Sequence, residues 1–143
     1  MSKSDTLENN ILKLIFNGTA IANLADNAAS APSTAIWLSL HSADPGDAGS
    51  QATSELSYTG YARTVVARTT SGWAVTANAV SPVAAVSFPQ ATSTSTGTAT
   101  YAAVGLSSAG AGTLLYKGAL TPSINFSQNV TPQLSTASAI TED

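Results

Sequence analysis

His41 is the only histidine of the chain and the first candidate for catalysis. In a Ser/His/Asp hydrolase an imidazole takes a proton from a serine hydroxyl while a carboxylate orients the ring. Asp44 or Asp47 could supply that carboxylate, and serines are abundant. No Gly-x-Ser-x-Gly motif marks a nucleophile, and no second His and no Cys accompanies His41 as a metal ligand. We therefore expect His41 to be a surface or hydrogen-bonded residue and the chain not to be an enzyme.

Three carboxylates, Asp44, Asp47 and Glu55, could surround a calcium ion. The EF-hand spacing is absent, and Asp44-Pro-Gly-Asp47 has the composition of a common turn, which is the favoured interpretation. A glycosidase would need two of the eight acidic residues, four of which lie at the chain ends or in a helix cap. No phosphate-binding glycine motif occurs. The sequence thus predicts no catalytic, metal-binding or cofactor-binding residues.

Four aromatic residues could instead form a stacking platform for a sugar: Tyr58, Tyr61, Trp73 and Tyr101. The whole chain has only two Trp, four Tyr and three Phe, so most of them are needed as core anchors. A core role is therefore the favoured interpretation, and a carbohydrate-binding module stays open as an alternative.

Charge is scarce in this chain of 143 residues, which is long enough for one domain. Only 9% of the residues are charged, whereas a typical globular domain has about 25%. A surface of Ser, Thr, Ala and Gly favours a protein that packs against other subunits. The net charge of −3 excludes a nucleic-acid groove, which needs clustered cations.

The absence of cysteine excludes a disulfide framework and a thiolate metal site. No apolar stretch approaches the roughly 20 residues that span a bilayer, and no apolar signal segment opens the chain. These features predict a soluble protein made in the cytoplasm, with no membrane partner.

A helix over residues 6–16 is predicted by its start, its spacing and its end. Asp5-Thr-Leu-Glu8 has the form of a capping box, and Asn17-Gly18 suits a left-handed cap. Between them, apolar residues recur at helical spacing: Leu7, Ile11, Leu14 and Ile15. Residues 20–31 are rich in Ala and Asn and allow a short second helix.

From residue 35 onward the apolar period changes to two, which is typical of strands. The predicted strands are 35–41, 61–68, 73–77, 83–88, 100–106, 113–120, 124–126 and 130–134. Their short spacing and Gly/Pro punctuation predict a mainly β fold, an antiparallel β-sandwich or jelly roll after one short N-terminal helix. The predicted parts are residues 1–34 with the helix, the sandwich over 35–134, and a C-terminal tail over 135–143.

Two segments carry the most specific pattern of the chain. Residues 37–47 read Trp-Leu-Ser-Leu-His-Ser-Ala-Asp-Pro-Gly-Asp, and residues 51–63 read Gln-Ala-Thr-Ser-Glu-Leu-Ser-Tyr-Thr-Gly-Tyr-Ala-Arg. Later come Phe88-Pro89, Gly-Thr-Ala-Thr at 97–100 and Gly-x-Leu-Leu-Tyr-x-Gly-x-Leu at 112–120. Together these elements, over residues 7–132, resemble a family of small virion proteins of tailed bacteriophages and prophages that are often labelled tail-fibre proteins.

The resemblance, with the small size, implies a cement or decoration protein on the outside of a capsid with the HK97-type shell. Such a protein would bind the major capsid protein at capsomer junctions and pair with copies of itself as a dimer or trimer. The N-terminal helix or the tail would then reach a neighbouring subunit. The alternatives are a tail-fibre, tail-tip or collar component and the carbohydrate-binding module. The expected location is the virion, at the capsid surface.

Overall fold

The computed structural model describes residues 3–21, 24–25 and 32–142. Their fold is mainly β, with antiparallel sheets after one N-terminal helix, as the sequence predicts. The helix is too short to cross a membrane, and the described residues include no helix that could. In chain order the elements are α1 (Asp5–Asn17), β1 (Ala35–His41), β2 (Thr64–Ala67), β3 (Trp73–Thr76), β4 (Ala79–Pro82), β5 (Val86–Ser87), β6 (Gly97–Gly105), β7 (Leu114–Phe126), β8 (Gln133–Leu134) and β9 (Ile140–Thr141).

Helix α1 begins one residue before the predicted start. Ser4 is the cap and its side chain accepts a hydrogen bond from the Leu7 amide, so Asp5 lies in the first turn, where its charge suits the helix dipole. Gly18 ends the helix in the left-handed conformation with φ 68°, as predicted. The predicted apolar stripe is only half buried. The buried line is rotated around the helix and consists of Glu8, Leu12 and Phe16.

The chain forms two compact units. We call the first, Met1–Ala35 with Val66–Ala85 and Ser135–Asp143, the terminal unit. In it α1 packs against β3 and β4, and the rings of Phe16 and Trp73 lie 4.8 Å apart. Strand β9 pairs with β4, which gives the predicted tail an ordered role that its sequence pattern does not indicate.

The central unit comprises Ile36–Val65 and Val86–Leu134. It contains most of a four-stranded sheet, in which the strand order is β2-β1-β6-β7. The register places Leu38 opposite Val104 and Leu40 opposite Ala102 between β1 and β6. The β6–β7 hairpin was predicted from its turn residues, but β7 runs on through the separately predicted strand 124–126. A second pairing joins β5 to β8.

The prediction was wrong about the strands between residues 77 and 88. Strand β4 was missed, and the predicted strand 83–88 shrinks to the two residues of β5. The β3–β4 hairpin turns through Ala77 and Asn78, with Ala77 at φ 52°. Two-residue hairpin turns are usually marked in the sequence by a glycine. The Ala77-Asn78 turn has none, so the sequence did not indicate a hairpin here. Most of the predicted second helix in residues 20–31 lies outside the described residues.

Candidate functional site

Arg63 is the centre of a polar cluster in the central unit. Its side chain is 1% exposed and faces Glu55, whose side chain is 16% exposed. Nε and Nη2 of Arg63 donate to the two carboxylate oxygens of Glu55, each over 2.7 Å. Two parallel bonds between planar, charged groups are the strongest form of this contact. Hydrogen bonding to the Glu55 carboxylate raises the pKa of Arg63, which fixes the positive charge.

The same guanidinium also holds the connection between β6 and β7. Nη1 of Arg63 donates to the carbonyl oxygen of Ser107 over 2.9 Å, and Nη2 donates to that of Gly110 over 2.6 Å. Small residues and glycines give this connection little rigidity of its own. Arg63 therefore fixes the shape of the connection while it satisfies two backbone acceptors.

Tyr61 joins the ion pair to strand β1. Its hydroxyl donates to Oε1 of Glu55 over 3.0 Å and accepts the Leu40 amide, also over 3.0 Å. Burial raises the pKa of Tyr61, so the hydroxyl stays protonated and can make both bonds at once. The loop that carries residues 51–63 is thus tied to β1 at its middle and at its end.

Gln51 locks the start of the same loop. Its side chain is fully buried, and Oε1 accepts the Ser107 amide over 3.0 Å. A Cβ on Gly105 would lie 2.1 Å from the Gln51 Cδ, and a Cβ on Gly112 would lie 2.6 Å from its Oε1. Both positions therefore need glycine because the Gln51 amide fills the space that a side chain would occupy.

His41 forms a buried hydrogen-bonded pair with Ser39. The Ser39 Oγ lies 2.9 Å from His41 Nε2, and His41 Nδ1 lies 2.8 Å from the carbonyl oxygen of Thr53. A carbonyl can only accept, so Nδ1 carries the proton and Nε2 accepts from the serine hydroxyl. This is the polarity of a nucleophile–base pair, but both side chains are 0% exposed, so no substrate could reach them. Desolvation lowers the pKa of His41 and keeps the ring neutral.

The carboxylates proposed as partners of His41 lie elsewhere. Asp44 and Asp47 both accept from Lys117 Nζ, at 2.8 and 3.2 Å, and Asp44 also accepts the Gly46 amide within the predicted turn. The hydrogen bond from Lys117 lowers the pKa of Asp44. Because Glu55 is bound to Arg63, the three acids do not converge, and the described residues contain no cluster of three metal-ligating side chains.

The aromatic residues act mainly as core anchors, which was the favoured interpretation. Tyr58 is buried, packs on Phe126 with a centroid distance of 4.6 Å, and donates its hydroxyl to the Pro89 carbonyl. Trp73 is buried in the terminal unit against Phe16. Of the four proposed platform residues, Tyr61 and Tyr101 are half exposed, and the Tyr61 hydroxyl is already engaged. These residues offer no joint sugar-stacking face.

A family model described as Podophage GP4 fiber I protein gp80 matches residues 2–141. The chain belongs to the Gp80 family. The match makes it a phage structural protein of the fibre or virion class, and no curated protein matches it. In this Gp80-family chain, the segments 37–47 and 51–63 supply the buried polar residues Ser39, His41, Gln51 and Arg63, whose hydrogen bonds are made within the fold.

The sequence did not indicate which residues make the buried polar contacts. These contacts are made by Ser39, Gln51 and Arg63, and Lys117 makes a separate ion pair at the surface. The sequence offered two indirect indications of these contacts. Ser39 lies between the apolar residues Leu38 and Leu40, and arginine occurs only twice in the chain. A buried arginine in such a chain is usually paired, but its partner is eight residues away in a loop without regular periodicity.

Proposed function

We propose that the chain is a non-catalytic structural subunit of a podophage tail fibre. The observation that carries the proposal is the family match over residues 2–141, which leaves almost none of the chain outside the fibre family. The inward-facing chemistry supports it, because the Ser39–His41 pair and the Glu55–Arg63 pair are used within the fold. The proposed role needs no catalytic group, metal or cofactor.

The polar cluster would serve this role as a mechanical lock. Arg63, Tyr61 and Gln51 tie the 51–63 loop to strand β1 and to the β6–β7 connection, through side chains that water reaches poorly. Charged hydrogen bonds that are buried in this way are strong and directional. A fibre subunit needs such rigidity because it must transmit force without changing shape.

A second candidate is the cement or decoration protein of the capsid surface. Its support is the composition: 9% charged residues in a short chain that needs to be buried against neighbouring subunits. In that role the partners would be the major capsid protein and further copies of the chain, with the virion surface as the location. The family description fits the fibre role at least as well.

The number of copies in purified phage particles separates the two candidates. Quantitative mass spectrometry gives the molar ratio of this chain to the major capsid protein. A tail fibre contributes a small fraction of a copy per shell subunit, whereas a shell-wide cement protein approaches one copy per shell subunit. Immunogold labelling at the tail or over the shell checks the assignment on single particles. Absence of the chain from particles would overturn both candidates.

A further inference from the structure

The C-terminal end of α1 carries a chemically labile pair, Asn17-Gly18, which is the only Asn-Gly sequence of the chain. In such a pair the backbone nitrogen of glycine can attack the side-chain carboxamide carbon of asparagine, because glycine has no Cβ that hinders the approach. The new N–C bond closes a succinimide ring while the carboxamide nitrogen leaves as ammonia. Water then opens the ring to aspartate or isoaspartate. The residue types alone therefore mark Asn17 as a site of deamidation.

The folded helix holds both reacting groups in place. Gly18 has the left-handed conformation, with φ 68° and ψ 17°, and its amide donates to the carbonyl of Lys13. The Thr19 amide donates to the same carbonyl over 3.1 Å. The nitrogen that must attack thus keeps its proton in a hydrogen bond, and the Oδ1 atom of Asn17 is buried. Deamidation therefore requires the last turn of α1 to open first.

Arg68, which follows β2 directly, limits the opening of this turn. Helix α1 has no basic residue in its last turn. Instead, Nε of Arg68 donates to the carbonyl of Ile15, and Nη2 donates to that of Leu14. Both carbonyls belong to the last turn, which has no partners within the helix, and the positive charge suits the negative end of the helix dipole. Because Nη1 also donates to the Ser33 carbonyl over 3.1 Å, the guanidinium fixes the helix end to a second segment of the terminal unit.

The deamidated product no longer fits the closed turn. Among the described residues Asn17 Oδ1 has no hydrogen-bond partner, so a carboxylate there would lose water without gaining a donor. Its negative charge would also lie at the negative end of the helix dipole. Isoaspartate, the second product, lengthens the main chain by one carbon atom just before Gly18, which disturbs the hydrogen bonds to the Lys13 carbonyl. The neighbouring Phe16 packs on Trp73 with 4.8 Å between the ring centroids, so an open turn weakens the contact between α1 and β3.

We propose that Asn17 is a deamidation site whose reaction releases the last turn of α1 irreversibly, and that Arg68 limits the rate of this reaction. The native rate is then the rate of an unfolded Asn-Gly pair multiplied by the fraction of time for which the turn is open. All the groups involved lie in the terminal unit, and the reaction consumes only water. It does not depend on the proposed function, so each proposal can fail alone.

Peptide mapping by mass spectrometry measures the deamidation rate of Asn17 in the purified chain, in mildly alkaline buffer with and without urea. Native deamidation is expected to be at least about tenfold slower than deamidation in urea. Arg68→Met removes the donors to the helix carbonyls, so its native rate should rise about tenfold while its rate in urea stays the same. Gly18→Ala, whose added methyl group hinders the attack, should react slowly under both conditions. Equal wild-type rates in buffer and urea, or an unchanged native rate in Arg68→Met, would overturn the proposal.

Trypsin cleavage after Lys13 measures the release of the helix end, because a closed helix resists the protease. Asn17→Asp carries the aspartate product, and we expect it to be cut after Lys13 at least about tenfold faster than the wild type. Asn10→Asp adds the same charge at a half-exposed position farther from the helix end and should be cut like the wild type. Cleavage after Lys117, in β7, should stay slow in all variants, Arg68→Met included, which shows that the central unit is folded. Wild-type cleavage after Lys13 in Asn17→Asp would contradict the release.

Discussion

Strands β1 and β7 belong to one sheet but differ in burial. In β1 five of seven residues are buried, including residues that point to opposite faces. In β7 one residue of 13 is buried. Strand β1 also contains the hydrogen-bonded pair Ser39–His41, and its Leu40 amide donates to the Tyr61 hydroxyl. Within the described part of the chain, no strand pairs with the outer edge of β7.

The difference shows how a chain poor in large apolar residues distributes its interactions. Buried polar side chains are concentrated in β1 and the loop over residues 51–63, which contain Ser39, His41, Gln51 and Arg63. Strand β7 contributes less to the core and keeps its apolar side chains half exposed. Stability is therefore expected to depend more on the region around β1 than on β7, and substitutions in the two regions test this separation.

The largest effect is expected at Arg63. Arg63→Met keeps much of the side-chain stem but leaves Glu55 without its partner, so we expect a loss of about 4 kcal/mol in the free energy of unfolding. Urea denaturation measures it. The double variant with Glu55→Leu should recover part of the loss because no unpaired charge remains. Lys117→Met, which removes solvent-exposed ion pairs near β7, should unfold like the wild type. Equal losses in the two single variants would contradict the separation.

Truncation of one leucine in each strand gives the next effect. Leu40 in β1 is 0% exposed, so Leu40→Ala should reduce the free energy of unfolding by about 3 kcal/mol. Leu120 in β7 is half exposed, so Leu120→Ala should reduce it by about 1 kcal/mol. Denaturant midpoints measured at a concentration where the chain is monomeric provide the comparison. A loss at Leu120 that matches the loss at Leu40 would show that β7 is part of the stabilising core.

The smallest effect concerns pH and His41. The unfolded chain binds a proton near pH 6.5, whereas burial lowers the pKa of the folded ring. The stabilising contribution is therefore complete above pH 6.5 and decreases as the pH falls, with a slope of at most about 1.4 kcal/mol per pH unit. Thermal unfolding between about pH 7 and pH 5 measures this slope. His41→Gln should remove it, while the lowered pKa of Asp44 acts only in more acidic solution. A wild-type stability that is constant over this range would contradict the prediction.

Local patterns in the sequence predicted the regular elements better than the contacts between them. Strand β1 was found because Ile36, Leu38 and Leu40 alternate, and α1 because its start and end use cap residues. Strand β9 was missed because it has only two residues and its partner β4 is distant in the chain, and β4 was missed because its turn from β3 carries no glycine. The rotated buried face of α1, with Glu8 inside, also depends on packing that periodicity does not specify.

For the site, the sequence indicated the correct segments but not their use. His41 was expected to be a surface or hydrogen-bonded residue; it is hydrogen bonded, and it is buried instead of lying at the surface. Its partners Ser39 and Thr53 could not be chosen from so many hydroxyls and carbonyls. The Glu55–Arg63 pair requires a loop whose path is set by Gln51 and Tyr61, and such a path follows only from the folded chain.

The contact between the two ends of the described chain has a practical consequence for engineering. Lys3 Nζ lies 3.0 Å from the Glu142 carboxylate, and the Glu142 backbone is hydrogen bonded to Asn78 on both its amide and its carbonyl. A short peptide linker could therefore join the ends, and the chain could be reopened within residues 93–96, outside every strand. Such a circular permutant would keep all the strand pairings while its new ends emerge from a different loop. Peptides attached next to Lys3 and Glu142, by contrast, would leave the protein side by side.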